Sequence, residues 1–262
     1  VDTDRTSPGG GDVGVVVPAL DEEEALPGLL ADLSALGLLA STVVVDNGSR
    51  DATARVAAAC GARVVSEPRR GYGAACLRGI EALRREVPGL RVVVFLDADR
   101  SDDPSLIPEL VRPIREGRAD LVLGSRSAGL ALPGSLKPHQ RLGNAVVCAL
   151  IGILFGARYT DLGPFRAVSA SALDRLDMRD RGFGWTVEMQ VKAARRGLRV
   201  AEIPVPYRPR VGRSKISGSV IGSARAALKI GWKVAALAIS RDRGSSGGRG
   251  SRTSGGRTGP GC

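Results

Sequence analysis

The chain has 262 residues, 43% of them apolar, enough to bury a sizeable core in one large α/β domain or two small ones. A net charge of +11, with 38 Lys and Arg against 27 Asp and Glu, points to a phosphate-bearing or polyanionic partner or to an anionic membrane face. No CxxC pair or secretory signal is present, so Cys60, Cys76, Cys148 and Cys262 read as thiols of a reducing cytosol, and the 11-residue run 145–155 is too short to span a bilayer.

Residues 1–12 lack periodicity and are expected to form a disordered lead. Val13–Val17 reads as a buried strand ending in Pro18-Ala19-Leu20-Asp21-Glu22. A helix follows, with Leu26, Leu29, Leu30, Leu33 and Leu36 on one face and Glu23 and Glu24 at its positive end. A second strand, Thr42–Val45, ends in the turn signature Asp46-Asn47-Gly48-Ser49. The small helix Ala52–Cys60 leads to a third strand, Arg63–Val65, which ends in Arg69-Arg70-Gly71-Tyr72-Gly73. Helix Ala74–Arg85 comes next. The run from Val92 to Leu96 then has the continuous apolar character of a strand buried on both faces. It breaks off into Asp97, Asp99, Asp102 and Asp103, closed by Pro104. Asp103-Pro104 has the form of an N-cap, and helix Ser105–Glu116 follows. Strand Leu121–Leu123 ends in Gly124-Ser125-Arg126.

The second half is less regular. A helix beginning near Lys137–Asn144 runs through 145–155, and residues 159–166 form a turn-rich loop. Short helix Ala170–Leu176 precedes a helix introduced by Gly182-Phe183-Gly184-Trp185, which carries Glu188 and ends at Arg195. Arg199–Tyr207 alternates like a half-buried edge strand and leads into a basic cluster at 208–215. Val220–Ile239 reads as an amphipathic helix with Arg225, Lys229 and Lys233 on one side. From Arg241 the chain is a low-complexity tail with five arginines against one acid.

Alternating strands and helices joined by short connections predict a mostly parallel sheet flanked by helices. Five successive strands end in polar, glycine-bearing loops on one rim, where ligands bind in open α/β sheets. Asp97 and Asp99 point to the same side of an extended chain and suit Mg²⁺ or Mn²⁺ carrying a diphosphate. Arg70, Arg126, Arg141 and the 208–215 cluster supply cations on that rim. The glycines Gly9–Gly11 precede the first strand, which excludes a dinucleotide fingerprint, and neither a P-loop nor a G-x-S-x-G elbow occurs. His139 reads as a helix-start residue and not as a base. Few aromatics and no groove-reading motif argue against nucleic acid as the partner, and Pro18–Glu24 lacks the glycine-rich loop of a nucleotidyltransferase.

Val16-Val17-Pro18-Ala19-Leu20-Asp21-Glu22-Glu23, Val44-Val45-Asp46-Asn47-Gly48-Ser49-Arg50-Asp51 and Asp97-Ala98-Asp99 resemble the three ordered motifs of family 2 glycosyltransferases. Gly71-Tyr72-Gly73, Gly124-Ser125-Arg126 and Gly212-Arg213-Ser214-Lys215 resemble the branch around dolichyl-phosphate mannose synthase and polyprenyl-phosphate sugar synthases. The resemblance covers roughly 13–218 and implies a GT-A fold, with a nucleotide-binding half at 13–126 and an acceptor half at 127–240. It implies an inverting transfer of a hexose from a UDP- or GDP-linked sugar to a polyprenyl phosphate, with a soluble hydroxyl acceptor as the alternative. Cytoplasmic residence follows, with peripheral contact at the membrane face.

Position by position, it implies that Pro18, Ala19, Leu20, Glu22, Val45, Asp46, Asn47, Arg70 and Gly71 bind the nucleotide. Asp97 and Asp99 hold the metal beside the Ala98 backbone. Arg126 and Arg141 receive the acceptor phosphate, while Arg213 and Lys215 close over the diphosphate. A hydroxyl acceptor requires a base, for which Glu188 and Asp161 are the candidates. The family often has Asp where Asn47 stands and Gln where Ser101 stands. Those departures bear on the base preferred and on whether Ser101 reaches the metal.

Overall fold

The computed structural model describes residues 11–128 and 138–212, apart from the side chain of residue 139. The first half unfolds as strand–helix pairs: β1 (Val13–Ala19), α1 (Leu26–Ala35), β2 (Thr42–Asp46), α2 (Thr53–Ala59), β3 (Arg63–Ser66), α3 (Tyr72–Glu86) and β4 (Val92–Phe95). After them come α4 (Ile107–Arg115), β5 (Leu121–Ser125), α5 (Pro138–Phe155), β6 (Arg166–Ser169), α6 (Ala170–Leu176), α7 (Trp185–Arg195) and β7 (Val200–Pro204). The predicted helix 220–239, the tail from 241 and residues 1–10 of the predicted lead lie outside the described residues. Asp12, assigned to that lead, is in fact tied down. Its carbonyl accepts from the Arg91 and Val92 amides at 2.7 and 3.0 Å, and its carboxylate pairs with Arg115 at 2.5 Å.

The seven strands form one sheet in the order β3-β2-β1-β4-β6-β5-β7. All run parallel except β6, which is antiparallel to both β4 and β5. Period-two alternation divides the apolar side chains between two cores. Val16, Val43, Val45, Val93 and Phe95 face α3, α5, α6 and α7, whereas Val13, Val15, Val17, Val44, Val92 and Val94 face α1, α2 and α4. Burial on both faces explains the β-branched runs without polar alternation. Because β6 alone reverses direction, the carboxyl ends of β1, β2, β3, β4, β5 and β7 share one rim.

Strand β6 was not expected. It is four residues long and carries Arg166 at its start, 1% exposed. The Arg166 guanidinium is satisfied by main-chain carbonyls of Leu162, Gly163 and Thr186 instead of by a carboxylate. Burial lowers its pKa to about 10. Among the described residues no helix is long and apolar enough to cross a membrane.

Candidate active site

A cavity of about 550 Å³ opens on the shared rim. Its walls come from the end of β1 (Pro18 to Glu22), from Asn47 after β2, from Arg70, Gly71, Tyr72 and Ala75 around the start of α3, and from Asp97, Ala98 and Asp99 after β4. Phe183 and Arg210 complete it from the second half of the chain.

The loops after β1 and β2 are zipped together. Asp21 has a left-handed backbone (φ 51°), a region that Asp enters more readily than most side chains, and is held there by two bonds. Its amide donates to Ser49 Oγ at 3.0 Å, and its carboxylate accepts from the Arg50 amide at 2.7 Å. The Glu22 amide donates to Thr53 Oγ1 at 2.8 Å. Glu23, expected to serve the dipole of α1, accepts from the Ala52 amide at 2.7 Å and so caps the start of α2.

Asn47 spends its amide on backbone. Its Nδ2 donates to the carbonyls of Glu67 and Arg69 at 2.8 and 2.9 Å, and its Oδ1 accepts from the Gly71 amide at 2.8 Å. Arg70 Nη2 donates to the Gly48 carbonyl at 2.7 Å. Gly71 lines the cavity, and both it and Gly73 meet the chain on their other side. A Cβ on either would stand 2.1 Å from a carbonyl of the 180–181 segment. That segment takes the first amides of α3, Gly73 to the Gly182 carbonyl and Ala74 to that of Arg181. The glycines therefore admit a protein strap that carries Phe183 to the cavity.

At the floor, Asp97 follows β4 after Leu96. Burial, then the charge of nearby Asp99, raises its pKa to about 7. Asp99 is 6% exposed; its Oδ1 accepts from the Ser101 amide and hydroxyl at 3.0 and 2.6 Å, and its Oδ2 lies 3.4 Å from Arg210. Ser101 thus orients Asp99 and does not line the cavity. Asp102 is 1% exposed, and neither of its oxygens has a hydrogen-bond partner. Burial and the Asp97 charge push its pKa well up. Asp103 is the N-cap, accepting from the Ser105 amide at 3.1 Å.

This acid concentration fits a hard dication. Among the described residues no group of three or more His, Cys, Asp or Glu forms a ready-made cage. Asp97 and Asp99 therefore suit a cation that completes its oxygen shell from a diphosphate and water.

Other expected residues fall elsewhere. Val45 is fully buried beneath α3, packed where Gly79 leaves room, and is not among the residues lining the cavity. Asp46 holds its own turn by accepting from the Ser49 amide at 3.1 Å. Arg126 makes a fork to Asp161, Nε to Oδ2 and Nη2 to Oδ1, each at 2.7 Å. It also lies 5.0 Å from the Tyr207 ring centroid. Burial opposes the Asp161 charge, yet the Arg126 bonds outweigh it and hold the carboxyl below its usual range. Glu188 accepts from the amides of Arg179 and Asp180 at 3.1 and 2.7 Å and pairs with Lys192 at 3.0 Å. Neither acid is among the residues lining this cavity. Arg141 is exposed in the first turns of α5. Arg213 and Lys215 lie outside the described residues.

Asp21, Tyr72, Ala75, Phe183 and Arg210 also line the cavity, although motif reading assigned none of them an individual role. Arg210 sits 2.8 Å from Glu22, and its Nε is buried without a partner. The only sequence signal for it was membership of the basic cluster. The segment bearing it is pinned along the acidic loop: Arg208 and Val211 donate their amides to the Ser101 and Asp99 carbonyls, both at 2.9 Å.

Residues 14–175 match the glycosyl transferase family 2 model. An uncharacterized glycosyltransferase of Mycobacterium tuberculosis is 43% identical over 225 residues, covering 85% of this chain and 97% of the relative. An undecaprenyl-phosphate mannosyltransferase of Micrococcus luteus is 30% identical, over 80% of this chain and 89% of its own. The crystal structure of glucosyl-3-phosphoglycerate synthase from M. tuberculosis, in complex with Mn²⁺, UDP-glucose and phosphoglyceric acid, superposes with a TM-score of 0.70 at 25% identity. That match covers 90% of this chain and 85% of the synthase. With its motifs around one rim cavity and its mostly parallel GT-A sheet, the chain belongs to glycosyl transferase family 2.

Proposed function

We propose that the protein transfers a hexose from a nucleoside diphosphate sugar to a polyprenyl phosphate, with inversion at the anomeric carbon. One observation carries the reading: a cavity whose floor is Asp97 and Asp99 and whose rim holds Arg70 and Arg210. In this reading Pro18, Ala19, Leu20, Glu22, Asn47, Arg70 and Gly71 surround the nucleoside. Asp97 and Asp99 hold Mg²⁺ or Mn²⁺ beside the Ala98 backbone. Bound there, the cation offsets the negative charge that grows on the departing diphosphate. Arg210 adds positive charge beside the same leaving group, and in this reading Arg213 and Lys215, which follow it in sequence, close over the diphosphate.

An oxygen of the acceptor phosphate attacks the anomeric carbon, and the bond to the nucleoside diphosphate breaks. A phosphate monoester, with a second pKa of about 6, is already largely dianionic at neutral pH and needs no base. The engagement of both Asp161 and Glu188 in internal bonds supports such an acceptor. In this reading Arg126, held by the Asp161 fork, and Arg141 on α5 receive the acceptor phosphate. The relatives that act on lipid phosphates support this acceptor. The likeness to a synthase bound to phosphoglyceric acid supports a second reading, a soluble hydroxyl acceptor.

Incubation with labelled UDP- and GDP-hexoses and either undecaprenyl phosphate in detergent or phosphoglyceric acid tests the choice. Label that moves into the organic phase, dependent on added Mg²⁺ or Mn²⁺, is expected. Label found only on the soluble acceptor would replace the first reading with the second.

A further inference from the structure

Helix α5 is apolar on two sides. Val147, Cys148 and Ile151 face the core at 5, 6 and 0% exposure. On the opposite side Leu142, Val146, Ala149 and Ile153 recur at i, i+4, i+7 and i+11, a single stripe at 3.6 residues per turn. Leu142, Val146 and Ile153 are 67, 57 and 81% exposed, and Leu154 flanks them at 45%. A helix that meets only water on that side carries polar residues there, and a contiguous apolar stripe marks an interaction surface.

Charge says what covers it. Residues 121–160 contain no Asp or Glu, although the chain has 27 acids, while Arg126, Lys137, Arg141 and Arg158 fall within them. Arg141 and Arg158 are exposed at the two ends of α5. A second copy of this surface would bring like charges together. An anionic lipid layer instead offers apolar depth for the stripe and negative headgroups for the arginines. The helix is also tied to the acceptor side of the site. Asn144 on its inner side donates to the Thr160 carbonyl at 3.1 Å and accepts from the Leu162 amide at 2.9 Å. Those bonds bracket Asp161, which holds Arg126.

We propose that the Leu142–Val146–Ile153 face of α5 is the surface by which the protein lies on an anionic bilayer, with the helix in the headgroup plane. The inference rests on the polyprenyl phosphate reading and names where the membrane is met.

Flotation of the full chain with phosphatidylglycerol-containing vesicles tests it, beside pure phosphatidylcholine. Binding to the anionic vesicles that weakens as salt rises is expected. The combined variant Leu142→Glu, Val146→Glu, Ile153→Glu should partition at least tenfold less, while its melting shift with nucleotide is unchanged. Ile153→Trp should bind more tightly, since Trp favours the interface. Three results would overturn the inference: unchanged flotation of the glutamate variant, loss of binding only on changing Arg225, Lys229 and Lys233 to Ala, and a dimer that the glutamate variant dissociates with no vesicle binding by wild type. Transfer to polyprenyl phosphate in detergent needs no bilayer, so absent flotation with intact transfer sinks the surface alone. Flotation without such transfer sinks the acceptor reading alone.

Discussion

Two buried acids outside the cavity decide how the chemistry is read. Asp161 is 2% exposed at its side chain and Arg126 14%, so the pair is shielded from solvent. Removing one partner strands the other charge, at a cost of about 3 kcal/mol. Asp161→Asn should therefore lower stability at neutral pH. Its folded pKa is depressed, so the pair's contribution is complete above the unfolded value of about 3.9 and is lost as pH falls through the lower folded value. Urea melts from pH 7 to 3 should show wild type and variant converging at the acid end. Parallel curves would mean that Asp161 titrates alike in both states. For Glu188, Glu188→Gln removes the carboxylate as a proton acceptor but keeps an oxygen for the Arg179 and Asp180 amides. Transfer per folded molecule should stay within a few fold, whereas loss of a true base costs about 10² to 10⁴.

At the scale of elements, the site depends on a strap. Segment 180–183 crosses the first turn of α3 because Gly71 and Gly73 lack side chains, and it brings Phe183 to the cavity wall. Gly73→Ala places a methyl against the Asp180 carbonyl, which must move, at about 1–3 kcal/mol. The expected outcome is weaker nucleotide binding at a modestly lower melting temperature. Unchanged affinity would show that the strap is no part of the donor site. These long-range contacts also mark where sequence reading stopped. Parallel strands announce themselves by apolar runs that end in acids and glycines, so Pro18–Glu22, Asn47, Arg70 and Asp97–Asp99 were legible together. Val45 was misplaced because period two puts it with Val43 on the buried side. Strand β6 stayed hidden because its buried arginine has meaning only once loop carbonyls surround it. Arg210 was one of several cations in a short run, and only its ion pairs with Glu22 and Asp99 single it out.

Across the whole molecule, both halves of the chain meet at one rim. Strands β1 to β4 bring acids and a nucleoside-sized hollow, and the chain beyond β7 returns along the acidic loop to place Arg210 opposite them. The central claim is that this hollow takes a nucleoside diphosphate with a divalent cation. Thermal melting with UDP, GDP, dTDP and CDP, each with and without Mn²⁺, tests it most directly, beside a variant carrying Asp97→Ala and Asp99→Ala. A ligand at about 100 times its dissociation constant adds about 2.7 kcal/mol, a readily measured shift. The account predicts a Mn²⁺-dependent rise with at least one nucleotide, absent in a variant that still folds. No shift with any nucleotide, or a shift that survives loss of both aspartates, would contradict it.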